Sequence, residues 1–233
     1  MNMHKIVGLN VDMGYKHETL IKQAAAYKTN EDVKPDVTVY LSDNYIENKQ
    51  KEAPHLTLDQ HEYIWTGAVF YDALIAFNGF VLHSSAVMMD GKAYLFSAAS
   101  GVGKSTHTGL WLKAFPKKAE ILNDDKPAIR IVDDKIKVYG TPWSGKTDLN
   151  LNIEADLAGI CFLERDTKNH IEEISKSEAV TKVLNQTLRP SSRSQMAELL
   201  DTLDTVISKT PIYKMGCTIS EEAAIMAYNK MKR

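Results

Sequence analysis

The stretch from Phe96 to Thr106, FSAASGVGKST, constrains this chain more than any other. An apolar run, Ala93-Tyr94-Leu95-Phe96, leads into it, and a run of helical character, Thr106 to Phe115, follows. Strand, glycine-rich turn and helix, in that order, describe a phosphate-binding loop. Gly101 and Gly103 can take backbone angles closed to other residues and so let the main chain approach an anion closely. N–H groups of the loop and of the first helical turn then point at one place. In such a loop Lys104 reaches the β- and γ-phosphates, and the Ser105 hydroxyl can ligate Mg²⁺. The expected nucleotide contacts are Ser100, Gly101, Val102, Gly103, Lys104, Ser105 and Thr106. The pattern G-x-x-x-x-G-K-S/T is broken once, by Ala98 at the place of the first glycine.

Two flanking features give the loop a context. Phe80 to Met89 and Lys92 to Ala98 are strand-like runs joined by Asp90-Gly91, a strong hairpin signal. With a two-residue turn Met89 faces Lys92, and stepping outward brings His83 opposite Ala98, so the hairpin places an imidazole beside the phosphates. Downstream, Ala119 to Asp125 reads as a short buried strand ending in paired carboxylates, Asp124 and Asp125. A nucleotide site needs acids across from its loop: one carboxylate can hold Mg²⁺, and a second can accept a proton from an attacking hydroxyl. Adjacent strand residues point to opposite faces, but a bend at Lys126-Pro127 lets both converge.

Elsewhere the pattern is that of an α/β chain. Residues 1–56 read as a small lead-in packed on the core, with strands at 6–11 and 37–41, a helix at 17–27 and a solvated connection at 43–54. Residues 57–233 read as the main domain. Thr57 with Gln60 has capping-box spacing for a long helix stopped by Asn78-Gly79. A hairpin is expected around Asp133-Asp134, and a shaped loop, GTPWSGKT, over 140–147. Lys146 in that loop is a candidate mobile cation for the γ-phosphate or the acceptor, and Arg189 a further basic group. A strand at 157–163, with 169–174 as its partner, precedes helices at 177–184 and 192–208, a strand at 212–218, and a last helix capped by Ser220 and ending in Lys230, Lys232 and Arg233.

Composition excludes some classes. The chain has 233 residues, 44% hydrophobic and 25% charged, with a formal charge of −2. No excess of basic groups argues for nucleic acid or an anionic membrane as partner. No apolar stretch approaches the length of a membrane span, and no leader pattern opens the chain, so a soluble, cytoplasmic protein is expected. Cys161 and Cys217 are the only cysteines and have no zinc spacing.

His83, the S-G-V-G-K-S run at 100–105 and Asp124-Asp125 together resemble the HPr kinase and ATP-dependent phosphoenolpyruvate carboxykinase-like superfamily. The resemblance is closest to small HPr-kinase-like proteins with a Gly-Thr-Pro-Trp-x-Gly-Lys loop, as at 140–146. Its specific motifs lie within about residues 80–165. Residues 1–56 do not resemble the N-terminal domain of full-length HPr kinases. The resemblance implies a mixed twisted sheet around the phosphate loop with helices packed on it. It implies phosphoryl transfer from ATP, with Mg²⁺, to a serine hydroxyl of a protein or peptide. Lys104 would hold the phosphates, Ser105 would bind Mg²⁺, and Asp124 would be the base. Asp125 would be a metal-shell ligand and His83 would lie near the transferred phosphate. The alternatives are a carboxykinase-like enzyme acting on a small metabolite and a nucleotide-binding regulator with little catalysis. Neither ATP over GTP nor an oligomeric state follows from the residues.

Overall fold

The computed structural model describes residues 2–232; Arg233 lies outside them. The chain opens on a hairpin, β1 (Met3–Ile6) and β2 (Leu9–Met13), turning at Val7-Gly8 with φ of +56° and +74°. One strand over 6–11 is therefore incorrect: the pair of left-handed residues makes a tight turn inside the apolar run. Helix α1 (Glu18–Gln23) and a 3-10 turn, Ala25–Tyr27, lead to β3 (Val37–Val39), which lies parallel to β2. The stretch expected to be a solvated connection is helix α2 (Asp43–Glu52). Ser42 caps it by accepting from Tyr45 N, and only Ile46 of its side chains is buried, so no apolar period announces it. In α3 (Leu58–Leu74) the expected capping box is present: Thr57 N donates to Gln60 Oε1 at 2.9 Å and Gln60 N to Thr57 Oγ1 at 3.2 Å.

The run 80–89 is two strands, β4 (Gly79–Val81) and β5 (Ser84–Met89). They are parted where Leu82 N donates to Pro127 O and His83 N to Gln186 O. Then come β6 (Lys92–Ser97), α4 (Lys104–Ala114), β7 (Glu120–Asp125), β8 (Ala128–Val132), β9 (Lys135–Tyr139) and β10 (Glu154–Arg165). The chain continues with β11 (His170–Glu173), α5 (Lys176–Asn185), α6 (Arg193–Lys209), β12 (Ile212–Cys217) and α7 (Glu221–Met231). Strand β11 pairs with β12, not with β10 as expected.

A nine-stranded mixed sheet curls around β10. The first residues of β10 pair with β9, its middle with β6 and its end with β12. Strands β6 and β12 run parallel to β10, whereas β5 is antiparallel to both β6 and β7. The strands are apolar on both faces, and alternation sorts them. Ala93 and Leu95 face a core with α5 and α6, while Tyr94 and Phe96 face another with α4 and α7. A third core joins β1–β3 to Phe70, Tyr71 and Leu74 of α3 and to Trp143, so the first forty residues are packed on the rest. Among the described residues no helix is long and apolar enough to cross a membrane.

One buried group makes this packing sensitive to pH. His107 of α4 is 3% exposed; its Nε2 accepts from Trp111 Nε1 at 3.3 Å and its Nδ1 has no partner among the described residues. Burial pushes the imidazole down from 6.5 to about 4. The unfolded chain therefore takes up a proton near pH 6.5 that the folded chain refuses until about 4. Stability is lost as pH falls through that window and levels off below it. Urea titrations should show the native protein losing about 2 kcal/mol more between pH 7 and pH 5 than the non-titrating His107→Gln variant.

Candidate active site

Sheet order gathers the candidate residues on one edge. Because β5 is antiparallel to both neighbours, β6 and β7 run the same way and finish together. Register pairs Ser84 with Ser97 on one side and with Asp125 on the other. The expected hairpin register holds from Met89↔Lys92 to Ser84↔Ser97, and Ser97 Oγ donates to His83 O at 2.8 Å. Loop, imidazole and carboxylates thus meet at the C-terminal ends of β6, β7, β10 and β12, the edge where open α/β sheets bind ligands.

The loop turns on two glycines. Gly101 and Gly103 have φ of +78° and +124°, and Gly103 sits at the N-cap of α4 without a side-chain cap. The first N–H groups of α4 therefore have no capping side chain. A Cβ on Gly101 would meet nothing within 4 Å, so the space above it is open. Ala98 has no positive φ, and its methyl group packs in the core with Leu110 and Trp111. Nothing at that position requires glycine. Lys104 Nζ donates to Ala98 O at 3.1 Å; burial lowers its pKa, with the charges of Asp125 and Asp124 acting against the shift.

The two carboxylates diverge. Ser105 Oγ donates to Asp124 Oδ1 at 3.0 Å, and Thr147 Oγ1 donates to Asp124 Oδ2 at 2.9 Å. Asp125 lies 3.2 Å from His83 Nε2 and 3.1 Å from Lys126 Nζ. Its φ of +141° is a region that ordinary residues rarely occupy. Burial would raise the Asp125 pKa, but the hydrogen bond from His83 and the charge and hydrogen bond of Lys126 outweigh it and hold the group below its usual range. His83 Nδ1 lies 3.0 Å from Gln186 Oε1. Ser105 Oγ and Asp124 Oδ1 are hard oxygen donors, the type Mg²⁺ takes, usually together with phosphate and water oxygens. No group of three or more His, Cys, Asp or Glu side chains suited to a metal occurs among the described residues.

The remaining candidates stand further out. Lys146 is exposed, and Gly145 beside it packs against the Asp125 side chain. Arg189 is exposed on the connection after α5. A different arginine touches the loop: Arg165, at the end of β10, donates to Gly101 O at 2.5 Å and Val102 O at 3.3 Å. Its place just after the apolar run GICFL becomes informative only once the parallel partner of that strand is known to be β6. Clefts of about 590 and 470 Å³ flank the loop, and Arg165 lines both.

No family model and no curated protein matches the chain. A solved structure, the Hpr(Ser) kinase/phosphatase from Coxiella burnetii, matches 66% of this chain and 99% of that one. The identity is 10% and the TM-score 0.37. A likeness of that size carries no conclusion about activity.

The loop geometry makes a paired prediction. Gly103→Ala forces a side chain onto φ of +124° and should destabilise the protein by about 1–3 kcal/mol. Gly109→Ala, in the middle of α4 with open space at the Cβ position, should stabilise it by about 0.5–1 kcal/mol. Urea unfolding of the two variants checks both signs.

Proposed function

We propose that this chain is an ATP-dependent kinase that transfers the γ-phosphoryl group to a hydroxyl. The resemblance of its motifs extends the reading to a serine of a protein or peptide as acceptor. The observation that carries it is the Ser105–Asp124 contact at 3.0 Å, which joins the loop to the end of β7 with the Asp125–His83 pair beside it. Binding alone needs no second acid next to the first. Phosphoryl transfer does, because it gains from positioning and from charge placed around the transferred group.

The hydrogen bonds support an exchange of the two aspartate roles implied by the resemblance. Asp124 shares its oxygen with the loop serine, which suits a metal-shell group. Asp125 is ionised, oriented by His83 and about one-third exposed, which suits the base. Its carboxylate takes the proton of the acceptor hydroxyl as the new oxygen–phosphorus bond forms. The bond from the γ-phosphorus to the bridging oxygen breaks, and the nucleoside diphosphate leaves with the electron pair. Lys104 offsets charge on the phosphate oxygens, and Lys146, exposed on its own loop, is the mobile cation that adds to it. Mg²⁺, held by Ser105 and Asp124, would supply further charge compensation there.

Three variants test this with labelled ATP. Asp125→Asn should lose about 10²–10⁴-fold in turnover while still binding Mg-ATP. Asp124→Asn should instead lose the Mg²⁺ dependence of ATP affinity. The opposite pattern would return the base to Asp124. Lys104→Ala should lose nucleotide affinity or rate, and unchanged kinetics would remove the loop from the site.

A further inference from the structure

The loop that supports Asp124 is gripped by side chains from outside the motifs. Tyr63 Oη accepts from Gly145 N at 2.8 Å. Gln23 Nε2 donates to Gly145 O at 3.1 Å. One residue is thus held at both its donor and its acceptor, by α3 and by the end of α1. The same loop is tied again by Lys22–Asp148 at 2.6 Å and by Asn152 Nδ2 donating to Ala26 O at 3.1 Å. Two residues beyond Gly145, Thr147 bonds Asp124, whose other oxygen accepts from Ser105. Gly145 also lies so close to Asp125 that an added Cβ would stand 3.0 Å from Asp125 Cβ. The contacts form one chain, Tyr63 and Gln23 to Gly145, then Thr147, Asp124 and Ser105.

Gln23 is informative because it is a poor choice for stability. It is 7% exposed, and its Oε1 is buried with no hydrogen-bond partner among the described residues. An unfilled buried acceptor costs about 1–3 kcal/mol, whereas an apolar side chain of similar length has no such penalty. What the amide provides in return is its single bond to Gly145.

We propose that Tyr63 and Gln23 are positioning residues of the reaction centre. They fix Gly145, which sets the Thr147 hydroxyl on one oxygen of Asp124 and leaves the other facing Ser105. The inference rests on the kinase reading above, in which Asp124 and Ser105 hold Mg²⁺. It makes the N-terminal segment a working part of the site.

The test measures ATP affinity of the full chain by calorimetry, with Mg²⁺ and with EDTA, alongside melting temperature. Mg²⁺ should tighten ATP binding to the native protein. Thr147→Val should shrink that gain about tenfold, as loss of a ligand-orienting partner does. Tyr63→Phe and Gln23→Met should each shrink it about threefold or more, with affinity in EDTA unchanged. Tyr63→Phe combined with Thr147→Val should be no worse than Thr147→Val alone, since both act through one hydroxyl. Gln23→Met should keep or raise the melting temperature. A merely structural role gives the reverse: the Mg²⁺ gain survives in Tyr63→Phe and Gln23→Met, or the double variant shows fully additive losses. Either result overturns the proposal. A native protein that fails to bind ATP, or binds it without regard to Mg²⁺, overturns the kinase reading and this inference together, a signature visible before any variant is made.

Discussion

The pairing of β5 with both β6 and β7 is the constraint on which the rest depends. A single antiparallel strand between two parallel ones puts the loop after β6 and the acids ending β7 on the same edge, one strand apart. The start of β5 lies at that edge too, so His83 arrives without any special path. Register is what makes this productive. A one-residue slip would exchange the faces of every β5 side chain. Ala86 would then enter the core that α4 and α7 cover, and Val87 the one under α5 and α6. Two dissimilar cores and a turn with φ of +54° and +74° at Asp90-Gly91 hold the register together.

Because that hairpin is local, it is also the part of the fold most legible in the sequence. Asp90-Gly91 states the turn, and the turn states every pair up to the edge of the site. The Thr57–Gln60 capping box and the Ser220 cap are legible for the same reason, since each is complete within a few residues. Legibility fails where the deciding partner is distant. The break after β4 exists because Leu82 and His83 give their N–H groups to Pro127 and Gln186. Strand β11 chooses β12 over the adjacent β10. Helix α2 rests on α3 with one buried side chain, too little to imprint a period.

The candidate site divides along the same line. Its motif residues are visible as residue types at fixed spacing: Lys104, Ser105, Asp124, Asp125 and His83. Its supports are not. Arg165, Gln186, Tyr63 and Gln23 belong to no motif, and each reaches the site across 60 or more residues. Residue identity at such positions becomes meaningful only once the sheet order is known.

The different partners of the two aspartates show how backbone geometry completes what spacing begins. Alternation along a strand sends neighbouring side chains to opposite faces, which alone would separate Asp124 from Asp125. The φ of +141° at Asp125 re-aims the second side chain toward His83 at the sheet edge. Such a conformation costs about 1–3 kcal/mol, and the bonds to His83 and Lys126 help to hold it. Both charges then bear on Lys104, although each keeps its own partners. Lys104 itself rests on the carbonyl of Ala98, the residue standing where the loop pattern has glycine. The positive φ values fall at Gly101 and Gly103 instead, so the methyl group at 98 is free to serve the core beneath α4. The departure from the pattern therefore adds packing under the loop and leaves the backbone turns at Gly101 and Gly103 in place.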